Sequence, residues 1–167
     1  MNEYKKGREH LEKKAFSAAK ECFLTGADQD PKCVYGLVAA SAAAGESFGQ
    51  ELKRLEDVLP ELMRLAESKD AEACFAVARC YETGTVLERD IPAAMKYYTR
   101  AAALEHPDAM FNLGCIYMML GDGKIAQSYF KQAASLGCVE AVQALRHMGK
   151  EKDRNEMKHN QGNGILK

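Results

Sequence analysis

Residues 120–130 read LGDGKIAQSYF, and the run Gly121-Asp122-Gly123-Lys124 holds the ingredients of a phosphate cradle. Glycines let backbone amides approach an anion, a lysine adds charge, and a helix begins at the site. The residue pattern excludes that chemistry. The motif G-x-x-x-x-G-K-[ST] needs glycine at 118 and serine or threonine at 125, where the chain has Met118 and Ile125, and no strand precedes the glycines. The segment reads as a tight turn, with Asp122 capping the next helix and Lys124 solvated.

The remaining reactive residues do not assemble into a motif. The histidines are His10, His106, His147 and His159, and neither H-E-x-x-H nor G-x-S-x-G occurs. Cys22, Cys33, Cys74, Cys80, Cys115 and Cys138 form no C-x-x-C pair and no cysteine–histidine cluster at zinc spacing. Cys74 and Cys80 stand six apart on one predicted helix and point to different faces, a poor disulfide geometry. The expectation is reduced, mostly buried thiols, no cofactor, no metal and no catalysis. Two rival roles stay open: a thiol-linked redox or metal-cofactor assembly factor, and a weak hydrolase.

Bulk composition narrows the partners. The chain has 167 residues, 47% of them apolar and 28% charged, and a net charge of -1. No strong field favours nucleic acid or a membrane surface. The N-terminal residues MNEYKKGREHLEKK lack the apolar core of a secretory signal, and no run approaches the ~18 apolar residues of a membrane span. A cytoplasmic protein without nucleic-acid or membrane partners is expected.

The elements that must position any site are helices. Alanine is abundant, β-branched residues are scarce, and apolar residues recur at three- and four-residue steps. The helices repeat. AEACFAVARCY (71–81) corresponds to PDAMFNLGCIY (107–117), and AAMKYYTRAAALE (93–105) to IAQSYFKQAASLG (125–137). Val34, Ala73, Ala109 and Ala141 share one position at spacings of 39, 36 and 32 residues, the period of helical-hairpin repeats. Phe23, Leu62, Tyr98 and Phe130 form a second column, Ala19, Val58, Ala94 and Ala126 a third, and Val38, Val77, Leu113 and Leu145 a fourth. Helices are expected near 2–13, 15–28, 31–44, 48–67, 71–83, 91–105, 107–120, 123–136 and 138–149. Asp30, Asp90 and His106 are the expected caps, Ser47 to Gln50 an expected capping box, and Gly45, Gly84, Gly121 and Gly137 the expected stops. Pro60 should kink or split its helix. The units are about 1–30, 31–68, 70–105 and 106–137, with a cap at 138–149 and a flexible polar tail at 151–167.

Ala109, Leu113, Gly114 and Tyr117, with Gly84, Val86, Asp90, Ala94, Tyr97, Tyr98, Ala101 and Ala102, resemble the pattern of Sel-one-like repeats, a branch of the tetratricopeptide superfamily. The match is strong over 71–149, weaker over 1–30, where it looks more like a plain tetratricopeptide unit, and poor over 31–68. The resemblance implies an all-α, right-handed α-solenoid of about four hairpin repeats plus a capping helix. It also implies an adaptor or scaffold that binds another protein or an extended peptide in its concave groove. By analogy with tetratricopeptide positions, that groove would present Tyr4 and Arg8 from the first unit, Phe75, Arg79 and Glu82 from the third, and Phe111, Cys115, Met118 and Met119 from the fourth. Phe75 and Phe111 are equally readable as inter-repeat core, and the methionines as packing.

Overall fold

A computed structural model describes residues 2–162, with side chains described through Lys150. Among the described residues there are nine helices and no strand: α1 (Glu3–Glu12), α2 (Phe16–Gly26), α3 (Pro31–Ala44), α4 (Gly49–Glu67), α5 (Ala71–Thr83), α6 (Ile91–Ala103), α7 (Pro107–Met119), α8 (Gly123–Ser135) and α9 (Val139–Gly162). The chain divides into two compact units, Met1–Leu104 and Glu105–Lys167. In the first, each helix packs on the next, and the first helices of successive hairpins also meet, α1 with α3 and α3 with α5. In the second, α8 packs against both α7 and α9.

The repeat columns form the core. Phe23, Leu62 and Tyr98 are fully buried, as are Ala19, Ala94 and Ala126, and Phe130 nearly so. Burying each large side chain contributes about 1.5–3 kcal/mol. The aromatics need room on the facing helices, and glycine supplies it. A Cβ on Gly7 would lie 2.4 Å from the Phe23 ring, one on Gly36 2.6 Å from the same ring, and one on Gly114 2.5 Å from the Phe130 ring.

Local chemistry sets the boundaries. Asp30 accepts from the Lys32 amide, Asp70 from Ala73, Asp90 from Ala93, and His106 from Ala109. Each satisfies an amide with no partner inside its helix. Gly45 and Gly84 end α3 and α5 in the left-handed region, at φ 73° and 75°. Lys69 takes the same conformation after α4 at φ 65°, where a side chain is strained.

Four expectations need correction. Pro60 does not split its helix: α4 runs unbroken from Gly49 to Glu67. Pro60 and Glu56 are both exposed, so the missing helix bond falls on the solvent side of α4, where it is tolerated. The capping box at Ser47 to Gln50 does not form, since Phe48 holds the cap position without a side-chain bond. Asp122 precedes α8 as expected, yet its side chain makes no cap hydrogen bond. The helix expected to end at 149 continues to Gly162, so the expected tail is helical over 151–162. Residues 163–167 lie outside the described residues.

Three substitutions test this packing by urea unfolding. Gly114→Ala drives a methyl into the Phe130 ring and should cost about 1–3 kcal/mol, more than alanine's helix propensity returns. Lys69→Gly should stabilise by about 0.5–1 kcal/mol by removing left-handed strain. The Ser41 hydroxyl is buried with no hydrogen-bond partner. Ser41→Ala should therefore be neutral or stabilise by up to about 1 kcal/mol.

Candidate peptide-binding face

The groove expected from the sequence falls on the first helices of the hairpins, and its residues divide between the two units. In the first unit they come from α1, α3 and α5. Long side chains on α1 and α5 flank α3, whose accessible positions Ala39 and Ala43 are small, while Gly36 and Ala40 are buried beneath. Two carboxylates organise these side chains. Glu72 Oε2 accepts from the Tyr4 hydroxyl at 2.8 Å and from Arg8 Nη1 at 3.4 Å. Glu82 Oε2 accepts from the Tyr98 hydroxyl at 2.6 Å and from Arg79 Nη1 at 2.9 Å. The same arrangement of tyrosine, glutamate and arginine thus occurs twice. Lys32 joins the first cluster, bonding Asp70 at 2.7 Å with its ammonium 5.7 Å from the Tyr4 ring centroid.

Electrostatics fix these charges. Burial opposes the cation of Arg79, but Tyr35, Tyr98 and Glu82 outweigh it and raise its pKa above the usual arginine range. Burial likewise opposes Lys32, and Asp70 and Asp30 prevail and raise it. Burial pushes the Tyr35 phenol up to about 12, and burial reinforced by Glu72 raises Tyr4 well above its ordinary value.

The predicted residues separate by exposure. Arg79 and Glu82 come together and are partly exposed. Phe75 is only 8% exposed and packs on Tyr98 and Tyr35, with ring centroids at 5.9 and 6.5 Å, so it belongs to the core. Tyr4 is 3% exposed and keeps only its hydroxyl at the polar cluster. In the second unit Phe111 sits 5.6 Å from Phe130, half-buried in the hairpin, and Cys115 is half-buried. Met118 and Met119 are 41% and 72% exposed, so they are surface rather than packing residues. Sequence reasoning missed Lys32, Tyr35 and Glu72. Their partners lie up to 68 positions away, and the only available signal was their place on the outward side of α3 and α5.

The thiols and a cavity bear on redox, metal and hydrolytic chemistry. None of the six cysteines is joined in a disulfide, and Cys33, Cys74, Cys80 and Cys138 are buried. Burial raises Cys33 and Cys80 to about 12, far from the thiolate that nucleophilic or metal chemistry uses. Among the described residues no three histidine, cysteine or acidic side chains converge to hold a metal ion. A cavity of about 610 Å³ lies beside the α5–α6 turn, lined by Tyr81, Leu87, Glu88, Arg89, Asp90, Ile91 and Pro92. Its lining supplies no serine, cysteine or histidine nucleophile. No helix among the described residues is long and apolar enough to cross a membrane.

These features define a helical-hairpin repeat protein, a fold class that serves in general as a protein-interaction scaffold. Residues 71–106 match the Sel1 repeat and residues 107–136 the tetratricopeptide repeat, so the chain carries Sel1-like repeats over this stretch. Its fold is similar to the crystal structure of a Sel1 repeat protein from Oxalobacter formigenes, at 23% identity and a TM-score of 0.53. That similarity covers 87% of this chain and 58% of the other, so this chain spans a little over half the length of its structural relative. No curated protein matches the sequence.

Two measurements check the electrostatics. Glu82→Ala strands the Tyr98 hydroxyl and should cost about 1–3 kcal/mol, with little of that loss from the part-exposed Arg79 pair. A double-mutant cycle with Tyr98→Phe reads the coupling. The second is alkaline unfolding. Tyr35 titrates near 10 unfolded and at about 12 folded, so the native state holds its proton longer. Its contribution is complete below pH 10 and should be lost as the pH rises from about 10 to about 12, which tyrosinate absorbance alongside circular dichroism would follow.

Proposed function

We propose that this protein is a non-catalytic adaptor that binds another protein or an extended peptide along the first helices of its hairpins. The observation that carries the reading is the face formed by α3 and α5. The accessible α3 positions Ala39 and Ala43 are small and leave room for a bound chain, while Arg79, Glu82 and Tyr35 stand beside them with their orientations already fixed. Preorganised side chains lower the entropy cost of binding. Taken by itself, the second unit exposes Met118 and Met119, which offer an adaptable apolar contact of their own. A cytoplasmic setting accords with six cysteines none of which is joined in a disulfide.

Affinity capture from source lysate, followed by mass spectrometry, tests the proposal. Arg79→Ala and the double substitution Met118→Asp/Met119→Asp should each reduce capture of the same partner by about tenfold or more, equivalent to roughly 1.4 kcal/mol. Thermal melts should stay within a few degrees of wild type, since the methionines are exposed and Arg79 is partly exposed in a pair that contributes little. Undiminished capture by both variants refutes the assignment. A thiol-reagent time course separates the redox role from the adaptor role. Cys22 and Cys115, the two half-buried thiols, should react first and the four buried ones only on unfolding.

A further inference from the structure

The two hairpins that match known repeats differ in one connection. Seven residues, 84–90, join α5 to α6, whereas three, 120–122, join α7 to α8. The longer connection is tied down along its length. The Thr85 amide donates to the Cys80 carbonyl at 3.1 Å, and the Asp90 amide to the Tyr81 carbonyl at 3.0 Å. The Thr83 and Thr85 hydroxyls bond each other at 2.8 Å, and Arg89 Nε donates to the Glu82 carbonyl at 3.1 Å. Val86 sits at φ 55°, a conformation that a β-branched residue holds only when its surroundings impose it. Beside this fixed connection lies the cavity of about 610 Å³, within the range of about 300–1,000 Å³ typical of small-molecule clefts. Part of its wall is an aromatic platform. Tyr81 stacks on Tyr97 with ring centroids 5.8 Å apart, and the Arg100 guanidinium lies 5.3 Å from the Tyr97 centroid. Leu87, Ile91 and Pro92 complete the apolar lining. Two charged lining residues have bonding capacity to spare. Among the described residues Glu88 makes no hydrogen bond or ion pair, and Arg89 uses only Nε, which leaves both Nη groups available. Asp90, by contrast, is committed to the Ala93 amide.

We propose that this cleft binds a free α-amino acid with an aromatic side chain. The ligand's ring lies on Tyr81 among Leu87, Ile91 and Pro92. Its carboxylate pairs with the Arg89 guanidinium and its ammonium with the Glu88 carboxylate. The choice of ligand follows from the charges. One unpaired cation and one unpaired anion, adjacent in the chain, call for a ligand that carries both signs close together. A free amino acid does so on a single carbon, whereas a residue inside a peptide has neither charge. The connection between α7 and α8 is four residues shorter and lacks the counterparts of Glu88 and Arg89, so the site belongs to the α5–α6 hairpin. The cleft uses none of Arg79, Met118 and Met119, so its test and that of the adaptor reading fail independently.

The test is a titration of the full wild-type chain with L-phenylalanine, followed by backbone amide chemical shifts. Saturating shifts centred on residues 81–92 are expected, with a Kd of about 1 mM or tighter. Two derivatives probe the charges on the same protein. N-acetyl-L-phenylalanine lacks the ammonium and L-phenylalaninamide lacks the carboxylate, and each should bind about three- to tenfold more weakly, as expected for single pairs open to solvent. The protein's side of each pair is read with Glu88→Gln and Arg89→Ala. Glu88→Gln should weaken L-phenylalanine about three- to tenfold and leave the N-acetyl derivative unchanged. Arg89→Ala should do the same for L-phenylalanine and leave the amide unchanged. Absence of shifts at about 10 mM ligand, far above the expected Kd, overturns the proposal. Equal affinity for all three ligands, or shifts centred outside residues 81–92, overturns it as well. The comparison of the three ligands uses the wild-type chain alone, so it decides the matter even if a variant loses its fold.

Discussion

The seating of an aromatic ring from one helix on a glycine of its neighbour is the contact on which the hairpins depend. Phe23 lies between Gly7 and Gly36, and Phe130 rests on Gly114. The contact is steric before it is energetic: no side chain larger than hydrogen fits at those glycines without moving the ring. Where the third unit has Ala78 in place of glycine, the column residue is Tyr98, which reaches sideways to Phe75 and anchors its hydroxyl on Glu82. The same column thus closes one hairpin by shape alone and another by shape together with a hydrogen bond.

That substitution of chemistry for shape links core to surface. Because Tyr98 is buried as far as its ring and polar at its tip, the carboxylate that satisfies it must stand at the edge of the α3–α5 face. Glu82 is then held in place by the Tyr98 hydroxyl, and Arg79 follows it. Tyr4 and Glu72 repeat the relation between α1 and α5. The polar pattern of the face is in this sense a projection of the packing beneath it.

The fold was legible because its determinants are periodic. Columns such as Ala19, Ala94 and Ala126, or Val77 and Leu113, recur at fixed spacing, and each was found buried. Caps at Asp30, Asp90 and His106 were legible because their partners lie two or three residues away. The face was only partly legible. Arg79 with Glu82 is a local pair, but the bond from Tyr4 to Glu72 spans 68 positions and no periodicity announces it. Phe75 and Phe111 sit in groove register, yet their rings turn toward Tyr98 and Phe130, because register gives a direction from the helix axis and not a rotamer. Pro60 misled because it and Glu56 lie on the exposed side of α4, where a lost helix bond is tolerated.

Each of the two best-matched hairpins also carries a stacked tyrosine pair, Tyr81 on Tyr97 and Tyr117 on Tyr129, with ring planes within 16° and 10° of parallel. The chain has no tryptophan. Its near-ultraviolet optical signal therefore comes mainly from tyrosine, and one close pair lies in each compact unit. Tyr117 and Tyr129 are the only tyrosines in the sequence beyond residue 104, so replacing both with phenylalanine would leave a tyrosine signal that reports the loosening of the first unit without any added label.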